Sequence, residues 1–146
     1  MLNINLGDAD ANELAYATIC DVMEYYGLDF SIDIELVGRD DIPAEDSEAG
    51  CMMVSDGNYT VYLNDKIDWT SEKIVEAVAH EMVHIKQHEL DGFDLEIDES
   101  ESHTATFQGK HYRMDNLYEY WLSPWEMEAR AMEKFFLMRM ATKRWL

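Results

Sequence analysis

His80-Glu81-Met82-Val83-His84 puts two imidazoles and a carboxylate within five residues. On a helix, residues four apart project from one face, so His80 and His84 can grip one metal ion. Glu81 would then stand beside that ion, where a general base is needed to take a proton from an activated water. The chemistry open to such a group is metal-assisted hydrolysis, and the spacing points to zinc-dependent cleavage of peptide bonds.

The elements that must position the motif agree with it. Thr70 and Ser71 offer N-cap oxygens, and Glu72 suits the positive end of a helix. From there to about Leu90 there is no Pro or Gly. Ile74, Val78 and Ile85 share an apolar side with Val75 and Met82. Lys73, Ala77, His80 and His84 lie on the other side. The pattern predicts a helix that buries one face and turns its histidines toward a cleft.

A catalytic zinc site needs three protein ligands and an open position. His88 continues the four-residue spacing, but at 1.5 Å per residue it lies about 12 Å along the axis from His80 and cannot share one ion with it. The metzincin pattern requires Gly and His where this chain has Gln87 and Leu90, which excludes that class. Ser123-Pro124-Trp125-Glu126-Met127-Glu128-Ala129 places two carboxylates near the start of a further helix, and a Glu from a second helix would complete a His₂Glu set. The same letters also read as a capping box, in which Glu126 bonds back to the Ser123 backbone. Periodicity leaves Glu126 and Glu128 equivalent, since they flank the stripe Trp125, Ala129, Met132 and Phe136 on opposite sides. His103 and His111 are further candidates for a His₃ set. His111, Tyr112, Tyr118 and Tyr120 could each donate to an oxyanion. The aromatic run Tyr118, Tyr120, Trp121 and Trp125 reads as core packing.

The segments His80-Glu81-Met82-Val83-His84-Ile85-Lys86-Gln87 and Pro124-Trp125-Glu126-Met127-Glu128-Ala129 together resemble small zincin-type metallopeptidases of bacteria and bacteriophages. The likeness covers roughly residues 70–140. In the broader glutamate-zincin group the third ligand is the Glu of Glu-x-x-Ala, which the resemblance carries to Glu126. Many members follow that Ala with Asp or Asn as a partner for a ligand, where this chain has Arg130. The resemblance implies one Zn²⁺ per chain on His80, His84 and Glu126, with Glu81 as the base. It also implies a bacterial or phage-infected cytoplasm.

The 146 residues suffice for one domain with a core. Hydrophobic content of 47% argues against overall disorder. No window approaches a membrane span, and no basic patch precedes an apolar run at the N-terminus, so neither an anchor nor a secretory signal is expected. Cys20 and Cys51 read as buried free thiols rather than a disulfide or zinc ligands. The net charge of −20 disfavours nucleic-acid binding and favours a basic partner or substrate. Acids concentrate in residues 29–48 and again between Glu89 and Glu101.

Along the chain, a first helix is predicted from about Ala9 to Tyr26, capped by Asp8 or Asp10 and ended by Gly27, with Leu14, Thr18, Val22 and Tyr25 as its apolar stripe. Phe30 to Val37 alternates as a strand with one buried face. Gly38 to Gly50 reads as an exposed acidic loop. Cys51–Val54 and Tyr59–Leu63 flank Ser-Asp-Gly-Asn as a hairpin. Residues 91–102 read as a flexible acidic loop. Thr104–Phe107 and His111–Met114 form a second small hairpin, and a last helix runs from near Ser123 to about Arg144. The expectation is a single α+β domain over residues 1–146, with a small mixed or antiparallel sheet packed on the motif helix between N- and C-terminal helices. Tyr59–Leu63 or Cys51–Val54 would offer an edge to an extended protein or peptide substrate. The rival function is a non-catalytic acidic protein that binds a basic partner or imitates DNA. Metal-dependent hydrolysis of a non-peptide substrate ranks third.

Overall fold

The computed structural model describes residues 1–41, 48–97 and 102–146. The chain is α+β, and its described residues form a four-stranded mixed sheet, a three-stranded antiparallel sheet and four helices. Strand β1 (Leu2–Asn5) leads into α1 (Ala9–Tyr26), which crosses over to β2 (Asp33–Arg39), parallel to β1. Strands β3 (Ala49–Ser55) and β4 (Asn58–Asn64) form the hairpin, and β4 lies parallel to β2, giving the order β1-β2-β4-β3. Helix α2 (Ser71–Leu90) follows, then β5 (Asp94–Ile97), β6 (His103–Phe107) and β7 (Lys110–Met114) as the second sheet. Helices α3 (Leu117–Trp121) and α4 (Pro124–Thr142) end the chain.

Local chemistry explains the boundaries of the long helices. The Asp8 carboxylate accepts from the Ala11 amide and starts α1. Gly27, at φ +68°, ends it in the left-handed conformation that glycine adopts without strain. Thr70 Oγ1 accepts from the Lys73 amide at the start of α2. In β2 and β4, Ile34, Leu36, Tyr59, Val61 and Leu63 point inward, against Leu14, Ile19, Val22 and Met23 of α1 and Val75, Val78 and Met82 of α2. Their neighbours Asp33, Glu35 and Thr60 turn the other way, as the period of two demands. Leu14, Thr18 and Val22 are buried on α1 as the stripe predicts, while Tyr25 is 46% exposed.

Several expectations need correction. The strand read from Phe30 begins only at Asp33, and Phe30 is 62% exposed. Part of the acidic loop read over 91–102 is strand: Asp94–Ile97 pairs antiparallel with β6, Leu95 opposite Ala105. Its acids are compatible with a sheet edge because they alternate with apolar residues. Helix α2 does not keep one open face. From Glu81 to Gln87 it is buried all round, including Glu81, His84, Lys86 and Gln87, where α4 packs against it. Of the two strands suggested for an edge, β4 lies inside the sheet and only β3 is terminal. Met52, Met53 and Val54 on β3 are exposed. Helix α3 had no counterpart in the sequence reading. Its Tyr118 and Trp121 are exposed rather than packed in a core. Cys20 and Cys51 are free thiols, each half-buried. Most of the acidic segment around Pro43, residues 42–47, lies outside the described residues, as do 98–101.

Helix α4 is tied to α1 by a buried carboxylate. Asp21 accepts two bonds from Arg139, at 3.0 Å from Nε and 2.8 Å from Nη2, and a third from Lys143. Burial would raise the Asp21 carboxyl, but these cations hold it below its usual range. A depressed carboxylate stabilises the fold above its unfolded pKa of about 4 and loses that contribution as pH falls through the folded value. Asp21→Asn is expected to cost about 2–3 kcal/mol at pH 7. Urea titrations of both proteins across pH should show the difference undiminished above about pH 5 and closing below about pH 4.

Candidate metal centre

His80 and His84 point the same way from the middle of α2, their ring centroids 4.9 Å apart. Glu126, in the first turn of α4, meets them. His84 Nε2 lies 2.9 Å from Glu126 Oε1, and His80 Nε2 lies 3.3 Å from Oε2. The two Nε2 atoms are 3.2 Å apart. One donor atom from each of the three residues falls within 4.8 Å of the others, so the group could hold a metal ion. Glu126 is buried and engaged with the histidines, and the capping-box alternative is not formed. Ser123 caps α4 without a side-chain bond, and its Oγ is a buried orphan.

The donor set fits a metal because the hydrogen bonds around it select the histidine tautomers. Gln87 Nε2 donates to the Trp125 carbonyl at 2.9 Å and to Glu128 Oε1 at 2.8 Å. Both partners accept only, so the amide orientation is fixed and Oε1 must face His84. His84 Nδ1–H therefore donates to Gln87 Oε1 at 2.8 Å, which leaves Nε2 as the nitrogen that could bind an ion. Likewise His80 Nδ1–H donates to Glu133 Oε1 at 2.8 Å, and its Nε2 turns to the centre. Two imidazole nitrogens and one carboxylate oxygen suit a borderline transition-metal ion.

Electrostatics bind the cluster together. Burial opposes charge on His80, but hydrogen bonds to Glu126 and Glu133 override it and push the imidazole up to about 10. Burial likewise opposes charge on His84, and Glu126 reverses the outcome, so that group is raised too. Burial alone would raise Glu126, yet the two histidines hold it well below the carboxylate range. Glu81 is raised, chiefly by burial, against the pull of His84 and His80. Its charge is felt on the sheet side, where Cys51 and Tyr62 are both pushed up, first by burial and then by Glu81.

The remaining candidates lie elsewhere or serve other ends. Glu128 accepts from Lys86 Nζ and Gln87 Nε2, so it braces α2 rather than joining the histidines. Lys86 also reaches Asp91 at 2.8 Å. His88 Nδ1–H donates to the Phe93 carbonyl. His111 meets Thr106 on the exposed side of the second sheet, and the His103 ring lies 6.0 Å from that of Tyr120. Tyr112 packs on Trp125 and Tyr118 is exposed. Tyr120 borders the centre: its phenol is raised by burial and then by the Glu126 charge. The partners of the histidines, Gln87 and Glu133, were not singled out from sequence. Their spacing held the signal, since Gln87 follows His84 by three residues and Glu133 follows Glu126 by two helical turns. Arg130, where the resemblance leads one to look for such a partner, plays no part in it.

Comparison of the chain with family models, with curated proteins and with solved structures finds no match. Among the described residues no helix is long and apolar enough to cross a membrane.

Metal analysis of reconstituted protein is expected to give one divalent ion per chain, lost in Glu126→Ala and kept in Glu128→Ala. Gln87→Ala should weaken affinity about 10–100-fold by releasing the His84 ring. Loss of the ion in Glu128→Ala but not in Glu126→Ala would overturn the ligand assignment.

Proposed function

We propose that the protein is a zinc-dependent metallopeptidase, with His80, His84 and Glu126 as ligands and Glu81 as general base. The observation that carries this reading is the placement of Glu81. It is a buried carboxylate raised above its ordinary value, next in sequence to one ligand and flanking a three-donor set. A zinc ion held by these three residues would supply a water of lowered pKa, toward about 7, and polarisation of a carbonyl.

The chain's own residues supply the rest. Glu81, poised by burial, takes a proton from the attacking water as its oxygen adds to the scissile carbon, then delivers that proton to the leaving amine as the C–N bond breaks. Tyr120 stays protonated because its phenol is raised, and so can donate to the carbonyl oxygen as that atom gains charge. Strand β3, terminal in its sheet among the described residues and with a Cys51 that feels the charge of Glu81, offers its outer edge to an extended peptide. The charge of −20 would steer basic protein substrates toward the molecule. That same charge is what favours the rival reading, a non-catalytic protein that binds a basic partner.

Glu81→Gln separates the two. It should keep the metal and lose casein hydrolysis by about a hundredfold or more. Tyr120→Phe should lower kcat by about tenfold to a hundredfold with little change in KM. Full activity in Glu81→Gln would sink the mechanism. No activity in the wild type, with salt-sensitive binding of a basic partner, would favour the rival.

A further inference from the structure

Arg130 has no task in the hydrolytic mechanism. It follows Glu126 by one helical turn and precedes Glu133 by three residues, so its Cβ lies about 5–6 Å from each along one side of α4. A helical arginine with carboxylates at both positions would ordinarily pair with one of them. Here both are committed to histidines, Glu126 to His80 and His84, and Glu133 to His80. Arg130 makes no ion pair among the described residues, and its Nη1 is buried with no hydrogen-bond partner. A guanidinium N–H withdrawn from water without an acceptor is costly, and a bound acceptor would relieve that cost.

A second contact fixes the group. The guanidinium lies over the indole of Trp121, Cζ 3.8 Å from the ring centroid. Trp121 is 54% exposed and directly follows Tyr120, whose phenol feels the Glu126 charge. The cation is thus bracketed between the ligand-bearing side of α4 and an exposed aromatic wall. Stacking on an indole restrains the plane of the guanidinium without using its N–H donors. A planar fork of N–H donors matches the two oxygens of a carboxylate.

We propose that Arg130, held by Trp121 one helical turn from Glu126, binds a substrate carboxylate beside the His80–His84–Glu126 site. This rests on the peptidase reading and narrows its substrate class to peptides that present a carboxylate near the scissile bond. The carboxylate has two sources, the C-terminal α-carboxylate or an Asp or Glu side chain. The net charge of −20 repels either carboxylate, and a local cation offsets that repulsion.

The test uses the zinc-loaded Glu81→Gln protein, which binds without turnover, and reads peptide affinity by calorimetry. The probes are acetyl-Ala-Ala-Phe as free acid, the same peptide as amide, and acetyl-Ala-Glu-Ala-Phe as amide. One carboxylate-bearing probe should bind about tenfold or more tighter than the uncharged amide. Preference for the free acid identifies the C-terminal carboxylate, and preference for the internal Glu identifies a side chain. The advantage should vanish on adding Arg130→Gln and return in part with Arg130→Lys, which keeps the charge without the planar fork. Equal affinity for all three probes, no binding of any up to about 10 mM, or an advantage that survives Arg130→Gln overturns the proposal. Wild type that cleaves casein while the probes bind equally would refute the carboxylate site alone. A carboxylate advantage in a protein that cleaves no peptide would refute the peptidase reading alone.

Discussion

The amide of Gln87 joins the two helices that carry the centre. Its oxygen takes the proton-bearing nitrogen of His84 on its own helix. Its nitrogen binds the Trp125 carbonyl and the Glu128 carboxylate on the facing helix. One side chain thereby sets the tautomer of His84 and the position of the turn that carries Glu126. Because both acceptors admit only donors, the amide cannot flip without leaving a buried group unsatisfied. Lys86 reinforces the joint through Glu128 and Asp91. Trp125, fully buried against Phe93, Phe107 and Tyr112, locks the same turn into the core of the second sheet.

Around that joint the fold concentrates negative charge where a low dielectric would ordinarily forbid it. Glu81 and Glu126 are buried, and Glu133 is close by. The two histidines offset them by hydrogen bonding and charge, which is why Glu126 is held low while both imidazoles are held high. Protons and a metal ion compete for the same Nε2 atoms, so the arrangement is one that a divalent cation would stabilise. Glu81 differs from the other two carboxylates. No histidine bonds to it directly, and its rise reflects burial above all. Two neighbouring carboxylates are thus pushed in opposite directions, the division that a ligand and a base would require.

Much of this was legible in the sequence, and the misses have physical causes. The caps of α1 and α2 follow from Asp8, Gly27 and Thr70, whose side chains or backbone freedom act within one turn. The hairpin turn at Asp56-Gly57 was equally local, with Gly57 at φ +75°. The pair His80 and His84 was readable because helical spacing alone places them together. Glu126 and Glu128 were not separable by periodicity, since the choice depends on how α4 is rotated against α2, and tertiary bonds from Lys86 and Gln87 set that rotation. Strand β5 was missed because its acids mask a four-residue alternation that only the partner strand β6 makes meaningful. The burial of the second half of α2 was missed for a related reason. Its polar residues look solvated until α4 covers them. The resemblance of residues 70–140 to zincin-type metallopeptidases rests on the two sequence motifs alone.

The central claim is that two imidazoles and one carboxylate hold a single ion. X-ray absorption at the zinc edge of reconstituted protein tests it most directly. The expected spectrum shows only nitrogen and oxygen neighbours at about 2.0–2.1 Å, with outer-shell scattering from two imidazole rings. A sulfur neighbour at about 2.3 Å, which would bring Cys51 into the site, or scattering from three rings would contradict it.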